Sequence, residues 1–518
     1  EERLPERAQK LGDQLIGHLI AQRAVYPKRM GDVRGLGAMV ACEFIDAATG
    51  APDHSATISA DLIRFPSTPA RRQAVNASPG NPQRVTWHTH YALAMLAIIY
   101  VFNYIDRLVI SILIEPIKLE FGISDTQIGL LSGVAFAIFY TVFGLPFGRL
   151  ADRIGRKPVI ALACIAWSAM TMLCGVATSF AMLLLFRIGV AVGEAGGTAP
   201  SVAMVSDLYP AKQRSRALSV FLMGPSLGAI LGLGLGGWIA QTYGWRTAFI
   251  AIGAPGVLLG LLFMLTVRAP RAALPTTAET PRENWKGTLS SLLATPAFLL
   301  IIAAGTLAAI MGYAIGTWNP SFLIRSHGLS MQDAGLLVGL GGGISATVGT
   351  LLCGSVTDRL VGRDPGWQLG VPAIACLISV PLGLAFYLWP SGTAFHLGSM
   401  AVPEAVLFYF AFAFTATWWT VPCFGAISHL FPPHRLAQAS AIFVMGMTLF
   451  GVGLGPIVVG GLSDFFAVSL GQEALRYALA SSVGLLALTT LCLVVALPRY
   501  RRQVLGASPP ANATPASA

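Results

Sequence analysis

The sequence predicts an all-α membrane protein of twelve transmembrane helices in two related halves of six, preceded by a small α/β or partly disordered extension. Three observations carry that expectation. Only 11% of residues are charged and 54% are hydrophobic, with a mean hydropathy of +0.67, whereas a soluble domain carries about 25% charged residues. So few charges cannot cover a water-facing surface, and a lipid-facing surface needs none. Apolar runs of about 20 residues recur from residue 88 onward, each long enough to cross a ~30 Å hydrocarbon core at ~1.5 Å per residue. The chain also repeats itself. Gly148-x-x-x-Asp152-Arg153-x-Gly155-Arg156-Lys157 returns as Gly354-x-x-x-Asp358-Arg359-x-x-Gly362-Arg363, and SDLYP at 206–210 returns as SHLFP at 428–432.

Residues 1–67 read as a small fragment, with a helix at about 5–22 and a strand at about 37–46, and residues 68–87 have linker composition. The first 20 residues are too charged for the apolar region of a secretory signal. The first half, 88–267, holds spans at about 90–114, 127–150, 158–178, 180–206, 216–241 and 247–267. A central loop occupies 268–295. The second half, 296–502, holds spans at about 296–320, 333–356, 368–389, 402–428, 437–461 and 476–498. Residues 503–518 read as a disordered tail.

Lys and Arg orient these spans. With the N-terminus inside, seventeen fall in cytoplasmic loops and four, Lys118, Arg246, Arg325 and Arg476, on the opposite side. Both termini are therefore expected on the cytoplasmic side, and a bacterial cell membrane is the expected location. The net charge of +10 is explained by this retention and forms no basic face for nucleic acid. Six of the seven cysteines lie in apolar stretches without metal-ligand spacing and read as packing residues. No cofactor is expected, and the absence of G-x-x-x-x-G-K-[ST] disfavours ATP-driven transport.

The loop GRLADRIGRK is the most specific motif. A carboxylate, Asp152, followed by a glycine turn bearing Arg153, Arg156 and Lys157 can lock one half against the other; Asp358 and Arg359 repeat the pattern. A simple topology signal needs neither the Asp nor the Gly spacing. In the fifth span Gly224-Pro225 is followed by Gly228, Gly232, Gly234, Gly236 and Gly237, a face for close backbone packing.

Charges inside spans point to a cavity, because one at mid-membrane costs about 2.5–3.5 kcal/mol. Asp106 and Arg107 lie in the first span, Arg187 and Glu194 in the fourth. Asp106 and Arg187 lie at similar depth, which suggests an ion pair, with Glu194 two turns further along the same face. Burial favours a neutral carboxylate and a nearby Arg a charged one, so Asp106 and Glu194 are candidates to load and release a proton; a fixed structural pair is the alternative. The second half offers Tyr313, Trp318 and Asn319 in its first span and Trp418 beside Trp419 in its fourth. Trp418 could line the cavity or face lipid. A cavity charged on one wall and apolar on the other suits an amphipathic substrate with a polar head better than a sugar.

These residues carry a resemblance. GRLADRIGRK resembles the signature loop of the major facilitator superfamily, whose aspartate helps hold the cytoplasmic side closed, a role that would fall to Asp152. NYIDRLVISIL, EFGISDTQIGLLSG, RIGVAVGEAGGTAPSVAMVSDLYP and TWNPSFLIRSHGLS resemble the Spinster subgroup. The resemblance implies proton-dependent transport of lysophospholipids or sphingolipids, with Asp106 and Glu194 as the protonatable pair and Arg107 and Arg187 contacting an anionic head or the carboxylates. Relatives that move other organic anions keep sugar acids and drugs open as substrates. Separately, ERAQKLGDQLIGHLIAQ and MGDVRGLGAMVACEFIDAATGAPD within 3–54 resemble the C-terminal part of a class III pyridoxal-phosphate aminotransferase. That part lacks the cofactor lysine, so enzymatic activity is not expected.

Overall fold

The computed structural model describes residues 17, 20–21, 30–36, 39–44, 85–268, 290–392, 394–397 and 400–507. The chain divides into two compact units, Glu1–Pro82 and Gln83–Ala518. In the first, β1 (Met30–Leu36) and β2 (Met39–Phe44) pair antiparallel, with Val33 opposite Cys42 and Leu36 opposite Met39. β2 lies within the strand expected at 37–46, while β1 was not anticipated. Of the helix expected at 5–22 only residues 17, 20 and 21 are described, all helical. The rest of it, residues 68–84 of the linker and most of the central loop lie outside the described residues.

The described residues of the second unit contain eleven helical stretches long and apolar enough to cross a membrane. They are α1 (Trp87–Ile112), α2 (Asp125–Ile154), α3 (Arg156–Cys174), α4 (Phe180–Leu208), α5 (Gln213–Tyr243), α6 (Trp245–Thr266), α7 (Pro296–His327), α8 (Met331–Val361), α9 (Trp367–Leu388), α10 (Ala405–Leu430) and α11 (Gln438–Gly506). The last two expected spans fall together in α11, whose 69 residues are far more than the ~20 one crossing needs. Gly471, at φ +55°, interrupts it. The short helix Ala474–Ser482 then folds back on the leg Gly453–Leu470, and the leg Gly484–Ala507 packs on α7 and α9. That last helix runs on to Ala507, so residues 503–507 of the expected tail are helical; the rest of it lies outside the described residues. A short helix, Ile114–Phe121, and a hairpin of β3 (Ala394–Leu397) with β4 (Met400–Pro403) are further elements the hydropathy pattern does not contain.

Packing sorts the helices into two sets. α1 lies on α5, α3 on α4 and α6, and α2 on α4; α9 lies on α10, and α7 on both legs of α11. The sets meet chiefly along two seams, α2 with the first leg of α11 and α5 with α8, and also where α1 touches α7. Each seam uses the same device. Gly122-Ile-Ser124 and Gly328-Leu-Ser330 precede α2 and α8, and both serines cap, accepting from Gln127 N at 3.2 Å and Asp333 N at 3.1 Å. One turn later Gly129 and Gly335 let backbones touch: a Cβ on Gly129 would stand 2.5 Å from Ile457 Cα, and one on Gly335 would meet the Leu233 backbone. A π-helical turn follows in each, Leu130–Val134 in α2 and Leu337–Gly342 in α8.

Two spans expected to be continuous are broken. α4 is interrupted at Gly196–Gly197, two residues after Glu194, and α10 at Thr417–Trp419. Both breaks occur at corresponding places in the two halves, where a membrane protein can tolerate irregular backbone only beside a cavity or buried in protein.

Candidate functional site

The site is built on α1, α2 and α4. Glu194 is fully buried and its Oε2 accepts from Arg107 Nε at 3.1 Å and NH2 at 2.5 Å. Arg107 keeps a small exposed fraction, 14% of its side chain, so of this pair only the cation can be reached. Aromatic rings enclose its guanidinium: Cζ lies 5.0 Å from the Tyr104 centroid, 4.9 Å from Phe136 and 5.2 Å from Tyr140. Tyr313 of α7, half-buried, packs on the same cluster, so a second-half side chain joins this wall.

The expected Asp106–Arg187 ion pair does not form. Arg187, 1% exposed, donates through NH1 to the backbone carbonyl of Asp106 at 3.2 Å, and Glu194 takes its cation from Arg107 instead. The reason is angular. Asp106 and Arg107 are ~100° apart around α1, and depth along the axis does not say which of them faces α4. The Asp106 carboxylate is 0% exposed and neither oxygen has a hydrogen-bond partner; Trp167 and Ser168 of α3 stand beside it with Arg187 and Glu194. Asn103, three residues earlier on α1, is likewise buried with both amide atoms unpartnered.

Other expected site residues are engaged elsewhere. Trp318 is buried and donates through Nε1 to Pro456 O at 2.9 Å, and Asn319 accepts from Tyr387 Oη at 2.7 Å. Both are packing groups of the second half. Trp418 sits in the α10 break, half-buried against Phe414, with Nε1 unpartnered. In the signature loop Gly148 lies within α2, and Gly155, at φ +95°, turns the chain from α2 to α3, a conformation L side chains avoid. Arg156 pairs with Asp207 and donates to Ala203 O at 2.7 Å, both within its own half. Asp152, Arg153, Asp358 and Arg359 are exposed, Lys157 is partly so, and none makes an ion pair among the described residues. Gly362 lacks the positive φ of Gly155, so the two loop copies turn differently. No group of three or more His, Cys, Asp or Glu able to hold a metal occurs among the described residues.

The opposite end of the molecule is tied. Arg325 of α7 donates to Glu115 Oε1 at 2.8 Å and to both oxygens of Asp125 at 2.7 and 2.9 Å. Asp464 of α11 accepts from Asp125 N, Thr126 N and Thr126 Oγ1 at 3.0, 2.8 and 2.6 Å. Among the described residues no ion pair joins the halves at the end of the Asp152 and Asp358 loops. Sequence reading used Lys118 and Arg325 only for orientation and passed over Asp464; the repeat of Gly-x-Ser before α2 and α8 was the available signal.

A helical membrane protein in two packed halves, closed by polar bonds at one end and with an arginine-centred site between them, is a transporter by architecture. The Major Facilitator Superfamily model matches residues 96–425, and the chain belongs to that superfamily of membrane transporters. An MFS-type efflux pump of Mycolicibacterium smegmatis is 36% identical over 417 residues, covering 80% of this chain and 94% of the pump. Protein spinster homolog 1 of Xenopus tropicalis is 27% identical over 394 residues, 73% of each chain. The crystal structure of a bacterial homolog of the human lysosomal transporter Spinster, inward-facing and unoccupied, aligns with a TM-score of 0.69 at 29% identity over 81% of this chain and 98% of that one. None of these similarities supports the aminotransferase resemblance of residues 3–54.

Proposed function

We propose that the protein is a proton-coupled secondary transporter of a bacterial cell membrane, moving an amphipathic substrate with an anionic head by alternating access. The observation that carries the reading is the buried Glu194–Arg107 pair with only the Arg107 edge exposed. An anionic head, carboxylate or phosphate, reaches Arg107 and competes with Glu194 for it. A carboxylate that loses its cation in a dry site is stabilised by taking a proton, so anion binding and proton uptake are linked. Asp106, buried beside Arg187 without a hydrogen-bond partner, is the second proton site and relays to Glu194. Tyr104, Phe136, Tyr140 and Tyr313 form the apolar wall that accepts the substrate's hydrocarbon part.

The break in α11 at Gly471 supports twelve crossings, six from 88–267 and six from 296–502, with both termini and the Asp152 and Asp358 loops on the cytoplasmic side. Among the described residues no ion pair joins the halves at those loops, which supports a site that opens inward; in the outward-open state Asp152 would close the cytoplasmic end. The likeness to spinster homologs favours lysophospholipids or sphingolipids as the substrate class; efflux of other amphipathic anions is the alternative supported by the mycobacterial pump.

The test is uptake into proteoliposomes of lysophospholipids against aromatic acids and sugar acids, with and without an imposed proton gradient. Gradient-dependent uptake of a lysophospholipid is expected. Failure of every lipid substrate, with uptake of an acid, removes the lipid assignment. Transport of lipid indifferent to the gradient and to Asp106→Asn or Glu194→Gln indicates a scramblase instead.

A further inference from the structure

Among the described residues, 20 buried side-chain nitrogen and oxygen atoms lack a hydrogen-bond partner, and eight of them fall on α1, α3 and α4 around the two buried carboxylates. They are both amide atoms of Asn103, both carboxylate oxygens of Asp106, Trp167 Nε1, Ser168 Oγ, Arg187 Nε and Glu194 Oε1. None of these six residues is more than 2% exposed. Protein interiors satisfy most such atoms with protein or internal water, so this concentration needs a physical cause. Glycines assemble it. A Cβ on Gly193 would stand 2.7 Å from Trp167 N, and one on Gly197, in the α4 break, 3.0 Å from Trp167 Cζ3. A Cβ on Gly256 of α6 would strike Ser168 Oγ. α3 therefore approaches α4 and α6 closely enough to set the indole and the hydroxyl beside Asp106. Asn103 lies three residues before Asp106 and four before Arg107, a neighbour of both around α1. Arg107 holds Glu194 through Oε2 alone, which leaves Oε1 over.

The mixture of atoms identifies what satisfies them. Asp106, Glu194 Oε1 and Asn103 Oδ1 accept; Asn103 Nδ2, Trp167 Nε1 and Arg187 Nε donate; Ser168 does either. A metal cation would use only the acceptors, beside two arginines. Water uses both kinds, and at about three bonds per molecule eight atoms hold roughly two or three waters.

We propose that Asn103, Trp167 and Ser168 are positioning residues that hold an internal water bridge from the Asp106 carboxyl to Glu194 Oε1, and that the proton passes between the two carboxylates along it. The inference rests on the proton-coupled reading of Asp106 and Glu194, not on any substrate. Protonated Asp106 gives its proton to the first water, and the last water gives one of its own to Glu194 Oε1. An O–H bond breaks at Asp106 and forms at Glu194, each water gains one and loses one, and the total charge is unchanged. Neither carboxyl has to reach the cavity, where only the edge of Arg107 is exposed. The glycines at the α4 break serve the same end, because a side chain at Gly193 or Gly197 displaces the indole that orders the bridge.

The test is pH-difference infrared spectroscopy of the full-length protein in lipid, without substrate. The other titratable groups around the carboxylates are Arg107 and Tyr104 of α1, Tyr140 of α2, Cys164 and Cys174 of α3, Arg187 of α4 and Tyr313 of α7. The titration is therefore kept to roughly pH 4–8, below the ordinary range of thiols and phenols. Asp106→Asn and Glu194→Gln identify the carbonyl bands of the two acids. With them the wild-type protein is expected to show a broad O–H continuum that shifts in oxygen-18 water. Ser168→Ala and Asn103→Leu are each expected to lose most of that continuum while keeping both carboxyl bands, which a packing role alone would not do. Trp167→Phe keeps the ring without its donor and decides with Ser168→Ala if Asn103→Leu does not fold. Carboxyl bands without an oxygen-18-sensitive continuum in the wild type overturn the bridge, as does a continuum of wild-type size in Ser168→Ala and Trp167→Phe. If neither Asp106→Asn nor Glu194→Gln removes a carboxyl band, the proton sites themselves fail and the bridge with them.

Discussion

Arg107 donates twice to one oxygen of Glu194, at 3.1 and 2.5 Å, from inside a box of three aromatic rings. The arrangement fixes the guanidinium on three sides and leaves one edge open. Removing one partner of such a buried pair costs about 3–5 kcal/mol, because the other charge is left uncompensated. The pair is therefore stable while the site is empty and exchangeable only for another anion.

Arg107→Lys keeps the charge but loses the planar fork and the stacking on Tyr104, Phe136 and Tyr140. Loss of one charge-assisted bond raises KM for the anionic substrate by about tenfold or more, with a smaller change in kcat. Initial-rate uptake across substrate concentrations checks this, and an unchanged KM places the head elsewhere.

Trp318→Phe removes the donor to the Pro456 carbonyl. The expected loss is about 1–3 kcal/mol of stability for a carbonyl left unpaired, with KM unaltered, because Trp318 is fully buried and bonded to the second-half backbone. Thermal unfolding beside uptake kinetics separates a packing role from substrate contact; a raised KM with an unchanged transition contradicts this placement.

Gly129→Val and Gly335→Val each put a side chain where backbones meet across a seam. Neither neighbour is a flexible side-chain end, so the halves must part. Both variants are expected to lose most transport, and crosslinking across the outer face should fall. Wild-type rates in either would show that the seam yields without consequence.

Asp152 is exposed and makes no ion pair among the described residues in this state. Asp152→Asn should leave the unfolding midpoint of the resting protein within ~0.5 kcal/mol of wild type while slowing turnover, since its partners form only when the cytoplasmic end closes. A large drop in the midpoint with normal turnover would reverse that assignment.

Much of the fold was legible because lipid imposes it. The run at 247–267 lies almost wholly within α6, Trp245–Thr266, and the span at 180–206 within α4, Phe180–Leu208, since an apolar run of this length has one solution in a membrane. What hydropathy could not register was polarity changing without charge: the Gly196–Gly197 break is as apolar as the helix around it. The candidate site was half legible. Its four charged members were found from their cost in lipid, but Asp106 and Arg107 are neighbours, and which one faces Glu194 depends on helix rotation, for which axial depth gives no measure. The network around Asp125 brings it together with Arg325 and Asp464, 200 and 339 positions further along the chain. Only the Gly-x-Ser repeat before α2 and α8 hinted at matched seams.

The central claim is that anion binding at Arg107 and proton binding at Glu194 are one exchange. Proton flux into proteoliposomes, followed by an entrapped pH-sensitive dye as the transported substrate is added, measures it most directly. The wild-type protein is expected to acidify or alkalinise the lumen in proportion to substrate moved, and Glu194→Gln to carry substrate with no proton signal or not at all. A substrate-driven proton flux of wild-type size in Glu194→Gln would contradict the account.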